Sequence, residues 1–326
     1  MVTFRSVLEA RIPLITGFLG IFLFSAKTEA VDPRLARFKN CHKYDSPMLK
    51  KKVEYCFDRS RPDIAYRSGE MLVYFMHGAF NSASQWYGKK YSGTMHDVAE
   101  SHNFPPFTVV SFNTSAMSFF SDEGDVHSGN QASETWFLKE FMPMMEGQYG
   151  LCSQRACRGL IGSSMGGFGS IKTILRHPDL FRFAGANFPA ILPVNIYDWT
   201  IEEWRDYFTD KSIGSQVGVQ FVKELYKIFP TRELYDQHDP VVLVRKWKEA
   251  SSFPPIYFDV GGQDEFGFYD GFNRLKETLD QKGYPYASHY DPSGDHLWGR
   301  GDFGSILLEW TASAVGQAIS ASKLTK

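Results

Sequence analysis

The sequence predicts an α/β fold with a mostly parallel, doubly wound sheet, and three observations carry that prediction. Short apolar runs recur along the chain, each ending in small or polar residues. Segments with apolar residues at helical spacing lie between them. The runs are continuously apolar rather than alternating, which is the pattern of strands covered by helices on both faces.

From the N-terminus, Arg5 and Arg11 precede or border an apolar run at residues 12–26, too short to cross a bilayer comfortably. "KTEA" follows and ends at Ala30, so residues 1–30 read as a secretory signal peptide. Cleavage there leaves a secreted or periplasmic chain that begins at Val31 and is not expected to hold a membrane. The alternative is an uncleaved signal anchor. Neither a twin-arginine pair nor a cysteine just after the apolar run is present.

Export gives the four cysteines meaning. Cys41 and Cys56, in an N-terminal segment at residues 31–68, and Cys152 and Cys157 form two local pairs. An even count in an oxidising compartment suggests disulfides, and of three connectivities the local one is simplest. Free buried thiols are the alternative. Neither spacing suits zinc, and no metal site is expected.

Strands are expected at residues 70–78, 107–113, 158–164, 181–190 and 254–262. Helical spacing links Phe168, Ile171, Ile174 and Leu175, then Phe272, Leu275 and Leu279 ahead of Gly283 as a stop. Phe303, Ile306, Leu307 and Trp310 mark a final helix. Residues 191–252 break the rhythm with three tryptophans and many charges, and read as a helical insertion. The chain of 326 residues, 43% hydrophobic, suffices for one large domain over residues 31–326. Its 37 acidic and 35 basic side chains leave no basic face, which argues against nucleic-acid binding. Oligomeric state is left open.

Four glycines crowd "LIGSSMGGFGSIK" at residues 160–172. Gly162-Ser163-Ser164-Met165-Gly166 matches G-x-S-x-G between an expected strand and an expected helix. In such an elbow the serine sits on a turn so sharp that side chains two positions away would collide. The helix that follows aims free N–H groups at the same spot. Other glycine-loop readings fail: a phosphate loop needs Lys-Ser/Thr where Phe168-Gly169 stands, and a dinucleotide fingerprint needs glycine at Lys172.

A serine needs a base, and the elbow predicts an acid and then a histidine further along. "PPIYFDVGGQDEF" supplies Asp264 past a strand end; Asp270 reads as a helix cap, and Glu265 as pointing away. "ASHYDPSGDHLWGR" offers His289 within a strand pattern and His296 beyond the turn, and His296 is the expected base. The oxyanion donors are expected to be the N–H groups of Met165 and Ala79, with His77 buttressing the loop. Phe80, Trp86 and Trp298 are candidates to line an apolar substrate pocket.

"GSSMGGFGSIKTILRHPDLF" resembles the serine signature of the esterase D / putative esterase family of α/β-hydrolases. That group includes feruloyl and acetyl-xylan esterases, S-formylglutathione hydrolases and mycolyltransferases. "HGAFNSASQW", "GGQDEFGFYDG" and "PSGDHLWG" fall in the family's order, so the resemblance covers roughly residues 69–316. It implies an α/β-hydrolase fold, a Ser164–Asp264–His296 triad and no cofactor. Asp295 is an extra residue before the histidine, and residues 114–129 and 191–252 match no substrate subgroup. The expected function is a secreted serine esterase acting on a carbohydrate-linked or other small ester. An acyltransferase using the same acyl-enzyme is the first alternative. A non-catalytic binding protein on a hydrolase fold is disfavoured because all three triad residues are present.

Overall fold

The computed structural model describes residues 40–64, 70–88, 91–122, 132–297 and 300–324. The expected signal peptide and Trp298 lie outside these residues. Among the described residues, eight strands form one sheet: β1 (Asn40–Ser46), β2 (Lys51–Arg59), β3 (Met71–Met76), β4 (Phe107–Phe112), β5 (Arg158–Ser163), β6 (Phe183–Asn187), β7 (Ile256–Gly261) and β8 (Ala287–Asp291). Their spatial order is β1-β2-β4-β3-β5-β6-β7-β8. From β4 to β8 every neighbouring pair is parallel, whereas β1 and β2 attach antiparallel.

All five expected strands are present, each trimmed at its ends. The antiparallel pair was not expected. Lys51, Lys52, Glu54 and Arg59 interrupt the apolar pattern of β2, because only part of that strand is covered, while Asp58 is buried. Cys41 and Cys56 stand opposite each other in the β1–β2 register and are bonded; Cys152 is bonded to Cys157 just before β5. The local pairing therefore holds.

The helices are α1 (Gln85–Gly88), α2 (Tyr91–Ser101), α3 (Ser133–Trp136), α4 (Met142–Tyr149), α5 (Met165–Arg176), α6 (Ile201–Thr209), α7 (Ser215–Ile228), α8 (Arg232–Asp236), α9 (Pro240–Lys246), α10 (Phe268–Lys282) and α11 (Phe303–Leu324). A π-helical turn at Phe137–Phe141 joins α3 to α4. Strand β3 shows why the apolar runs do not alternate. Its Met71, Val73 and Phe75 pack with Tyr91, Met95 and Val98 of α2 and Leu307, Leu308 and Val315 of α11. Tyr74, between them, points to the other face, where its ring meets Phe112, Phe137 and Phe141. Both faces are buried, so each position must be apolar.

Residues 191–252 carry α6 to α9. Thr200 and Glu203 close a reciprocal capping box on α6, and Asp239 caps α9 ahead of Pro240. This insertion reaches the loop between β7 and α10. Tyr207 donates to Gly267 O and Asp270 Oδ2, Ile213 N–H donates to Glu265 O, and the Phe221 ring lies beside Phe266 and Phe268.

Candidate active site

The parallel strands end on one edge of the sheet, and the site is built there. Ser164 follows β5 directly and precedes the first residue of α5, with φ 57° and ψ −117°. That conformation is disfavoured for any residue with a side chain. The glycines around it are required by contact. A Cβ on Gly162 would lie 2.1 Å from Gly166 O, and one on Gly166 would lie 1.9 Å from Met76 O at the end of β3. The turn thus closes on itself and against the neighbouring strand only because both positions lack side chains.

A continuous chain of hydrogen bonds runs from this serine. Ser164 Oγ is 3.0 Å from His296 Nε2, and His296 Nδ1 is 2.9 Å from Asp264 Oδ2. Asp264 sits in the turn after β7, where its Oδ1 accepts the N–H groups of Phe266 and Phe268 at the start of α10. A carboxylate so held accepts a hydrogen bond from the Nδ1–H of the imidazole, which leaves Nε2 free of a proton and able to accept from Ser164. Asp264 and His296 are both buried, while Ser164 is half-buried. The imidazole is also boxed by rings: Phe188, Phe266 and Phe268 lie 4.6, 4.9 and 5.3 Å away between centroids.

His289 sits within β8, half-buried, with its ring beside Phe303. The two histidines thus lie on different segments, His289 on β8 and His296 beyond the turn that follows it. Asp270 is not a cap: Gly267 occupies that position, and Asp270 lies in the first turn of α10 holding Tyr207 and Lys211. Glu265 does not point away either. It is buried, and its Oε2 accepts the N–H groups of His296 and Leu297. The expectation failed because the loop is a tight turn, not an extended segment. Asp295 is buried too; it accepts both N–H and Nε of Arg300, while its own N–H donates to Arg300 O. The extra residue before the histidine thus pins both ends of a short loop.

On the β3 side, Gly78 N–H is held by Gln85 Oε1, and a Cβ on Gly78 would lie 3.4 Å from Ser163 O. Ala79 follows Gly78 in the chain. Met165 N–H opens α5, where no acceptor one turn back exists within the helix. His77 is fully buried, donating from Nδ1 to Gly78 O and accepting the Thr114 N–H at Nε2. Burial lowers its pKa to about 4. It buttresses the loop as a neutral ring.

The aromatic candidates divide. Phe80 is exposed, 39% accessible beside Ala79. Trp86 belongs to the core: its ring packs on Phe75 and Tyr91, and Nε1 donates to the buried Asp58 on β2. It cannot line a pocket. The sequence signal was ambiguous because a large aromatic suits either place, and its polar partner lies on a strand that was not expected.

A parallel sheet with a serine elbow after its central strand, and an acid and a histidine on later strand ends, defines the α/β-hydrolase class. The Putative esterase family matches residues 67–309, and the chain belongs to that family. No curated protein matches the sequence. Among solved structures, a ferulic acid esterase superposes with a TM-score of 0.63 at 18% identity, covering 86% of this chain and 98% of the other. An S-formylglutathione hydrolase from Agrobacterium tumefaciens gives 0.63 at 18%, covering 85% and 95%. MPT51 from Mycobacterium tuberculosis gives 0.58 at 18%, covering 85% and 99%. At such identities the likeness is one of fold.

Proposed function

We propose that the protein is a secreted serine esterase that cleaves carboxylic esters through an acyl-enzyme on Ser164. The observation that carries this reading is the unbroken chain Ser164 Oγ–His296–Asp264. Ser164 Oγ attacks the acyl carbon as its proton passes to His296 Nε2. The carbonyl oxygen becomes an oxyanion, which the N–H groups of Met165 and Ala79 receive. The C–O bond to the alcohol then breaks, and His296 returns the proton to the leaving oxygen. Water then attacks the acyl carbon and gives a proton to the same nitrogen; the bond to Ser164 Oγ breaks, and His296 passes the proton back to Oγ as the acid leaves. Asp264 keeps the ring oriented and stabilises the imidazolium. These steps use groups of the chain and one water molecule.

Phe80, exposed beside Ala79, suits contact with an apolar part of the substrate. An export signal at residues 1–30 and two disulfides favour an extracellular ester, with carbohydrate-linked acyl groups the leading class. A panel of p-nitrophenyl, feruloyl and acetylated-sugar esters tests the reading. The wild type should release acid from at least one of them, and Ser164→Ala should abolish that release. Equal turnover by Ser164→Ala would refute it.

A further inference from the structure

A charged residue stands inside the apolar run of β7. Asp259 is fully buried on β7, which lies between β6 and the edge strand β8, and the catalytic steps above make no use of it. Its carboxylate faces three donors. Oδ2 accepts from Asn187 Nδ2 at 2.6 Å and from the Tyr257 hydroxyl at 2.9 Å, and Oδ1 accepts the Phe188 N–H at 2.9 Å. Burial pushes its pKa up to about 7, against these donors, each of which favours the charged form.

Two of the three residues it grips, Asn187 and Phe188, touch the reacting groups. Asn187 O accepts the Ser164 N–H at 2.9 Å, and three residues on, the Ala190 N–H donates to Ser164 O at 3.1 Å. The segment after β6 therefore clips both backbone groups of the serine. Phe188 has φ 33°, a conformation that only the surrounding structure can impose, and its ring is 4.6 Å from the His296 imidazole. Asn187 Nδ2 also donates to Phe303 O, and the Phe303 ring meets Phe188 edge-on.

We infer that Asp259 is a positioning residue for the Ser164–His296 pair: through Asn187 it sets the carbonyl that holds the serine backbone, and through Phe188 the ring that holds the imidazole. The inference rests on the reading of Ser164 as nucleophile and His296 as base. Two groups that must meet within hydrogen-bond reach are here referenced to one buried charge, so their separation is fixed by a single anchor.

Asp259→Asn tests this in the purified full protein. The variant keeps the volume but carries one NH2 where an acceptor stood. Either the Phe188 N–H or the Asn187 amide then faces a donor, whichever way the side chain turns. Activity per active site, counted by fluorophosphonate titration, is measured at about pH 8.5, where the wild-type carboxyl is ionised. The expected result is kcat about 10- to 100-fold lower with KM within about 2-fold, and a matching fall in the fluorophosphonate labelling rate. A purely structural role would lower the count of active sites and leave kcat per site and labelling rate unchanged; that result overturns the inference. If Asp259→Asn does not fold, Phe188→Leu takes its place, with a labelling rate about 10-fold lower expected and an unchanged rate refuting. Failure of the underlying reading looks different: the wild type would not label at Ser164, or His296→Ala would label as fast as wild type. Either result overturns the inference with it.

Discussion

Glu265 Oε2 accepts the backbone N–H of His296 at 2.9 Å, so the residue next to Asp264 holds the histidine's main chain while Asp264 holds its ring. Two adjacent carboxylates thereby fix one imidazole from two sides. Removing the second should cost more than a surface charge. Glu265→Ala leaves the His296 and Leu297 N–H groups without that acceptor, and a hydrogen bond to a charged group is worth about 1.5–3 kcal/mol. We expect kcat to fall by about 10- to 100-fold, on the scale of 1.4 kcal/mol per factor of ten, with Glu265→Gln milder. Steady-state kinetics on one activated ester decides it; unchanged kcat in both variants would remove Glu265 from the account.

The two late histidines give a sharper contrast. His296→Ala should lower kcat by at least about 10³-fold, the scale of triad deletions. His289→Ala should stay within about 10-fold, because its ring sits on β8 beside Phe303. A dead His289→Ala with an active His296→Ala would reverse the assignment.

Phe80 and Trp86 should respond in opposite ways. Trp86→Ala empties a core site and breaks a bond to buried Asp58, so urea unfolding should show a loss of about 3–5 kcal/mol. KM of the surviving folded fraction should be unchanged. Phe80→Ala should leave stability within about 0.5 kcal/mol. It should instead raise KM for esters with apolar acyl groups.

His77 links stability to pH. Its folded pKa is depressed to about 4 from 6.5, so its contribution is complete above 6.5 and is lost as pH falls toward 4. Between pH 6.5 and 5 the loss approaches about 2 kcal/mol for this one group. Urea unfolding at these two pH values should show a steeper acid loss in wild type than in His77→Gln. Equal slopes would mean that the ring is not held neutral.

The rhythm of apolar runs and helical segments made the central sheet legible, because strands buried on both faces leave an unbroken signature. The elbow was legible for a related reason: Gly162 and Gly166 are demanded by backbone contacts under 2.5 Å to any added Cβ, and only glycine can meet that demand. Asp264 and His296 followed from chain order past recognisable strand ends. Strands β1 and β2 were hidden, since a partly covered edge pair mixes charges into its pattern. Glu265 was hidden because its partners are backbone groups of a loop whose path no side-chain pattern encodes, and Asp295 because it closes on Arg300 across that same loop. Asp259 was not singled out, because its role depends on a link to Phe188 through a positive φ that phenylalanine does not advertise.

The central claim is that Ser164 is a nucleophile activated by His296, and fluorophosphonate labelling reads it directly. The purified protein is treated with a fluorophosphonate, digested, and the adduct located by mass spectrometry. The account predicts one stoichiometric adduct on Ser164, formed at least about 10³-fold more slowly in His296→Ala at equal folded content. A folded wild type that takes no label, or takes it at another residue, would contradict the account.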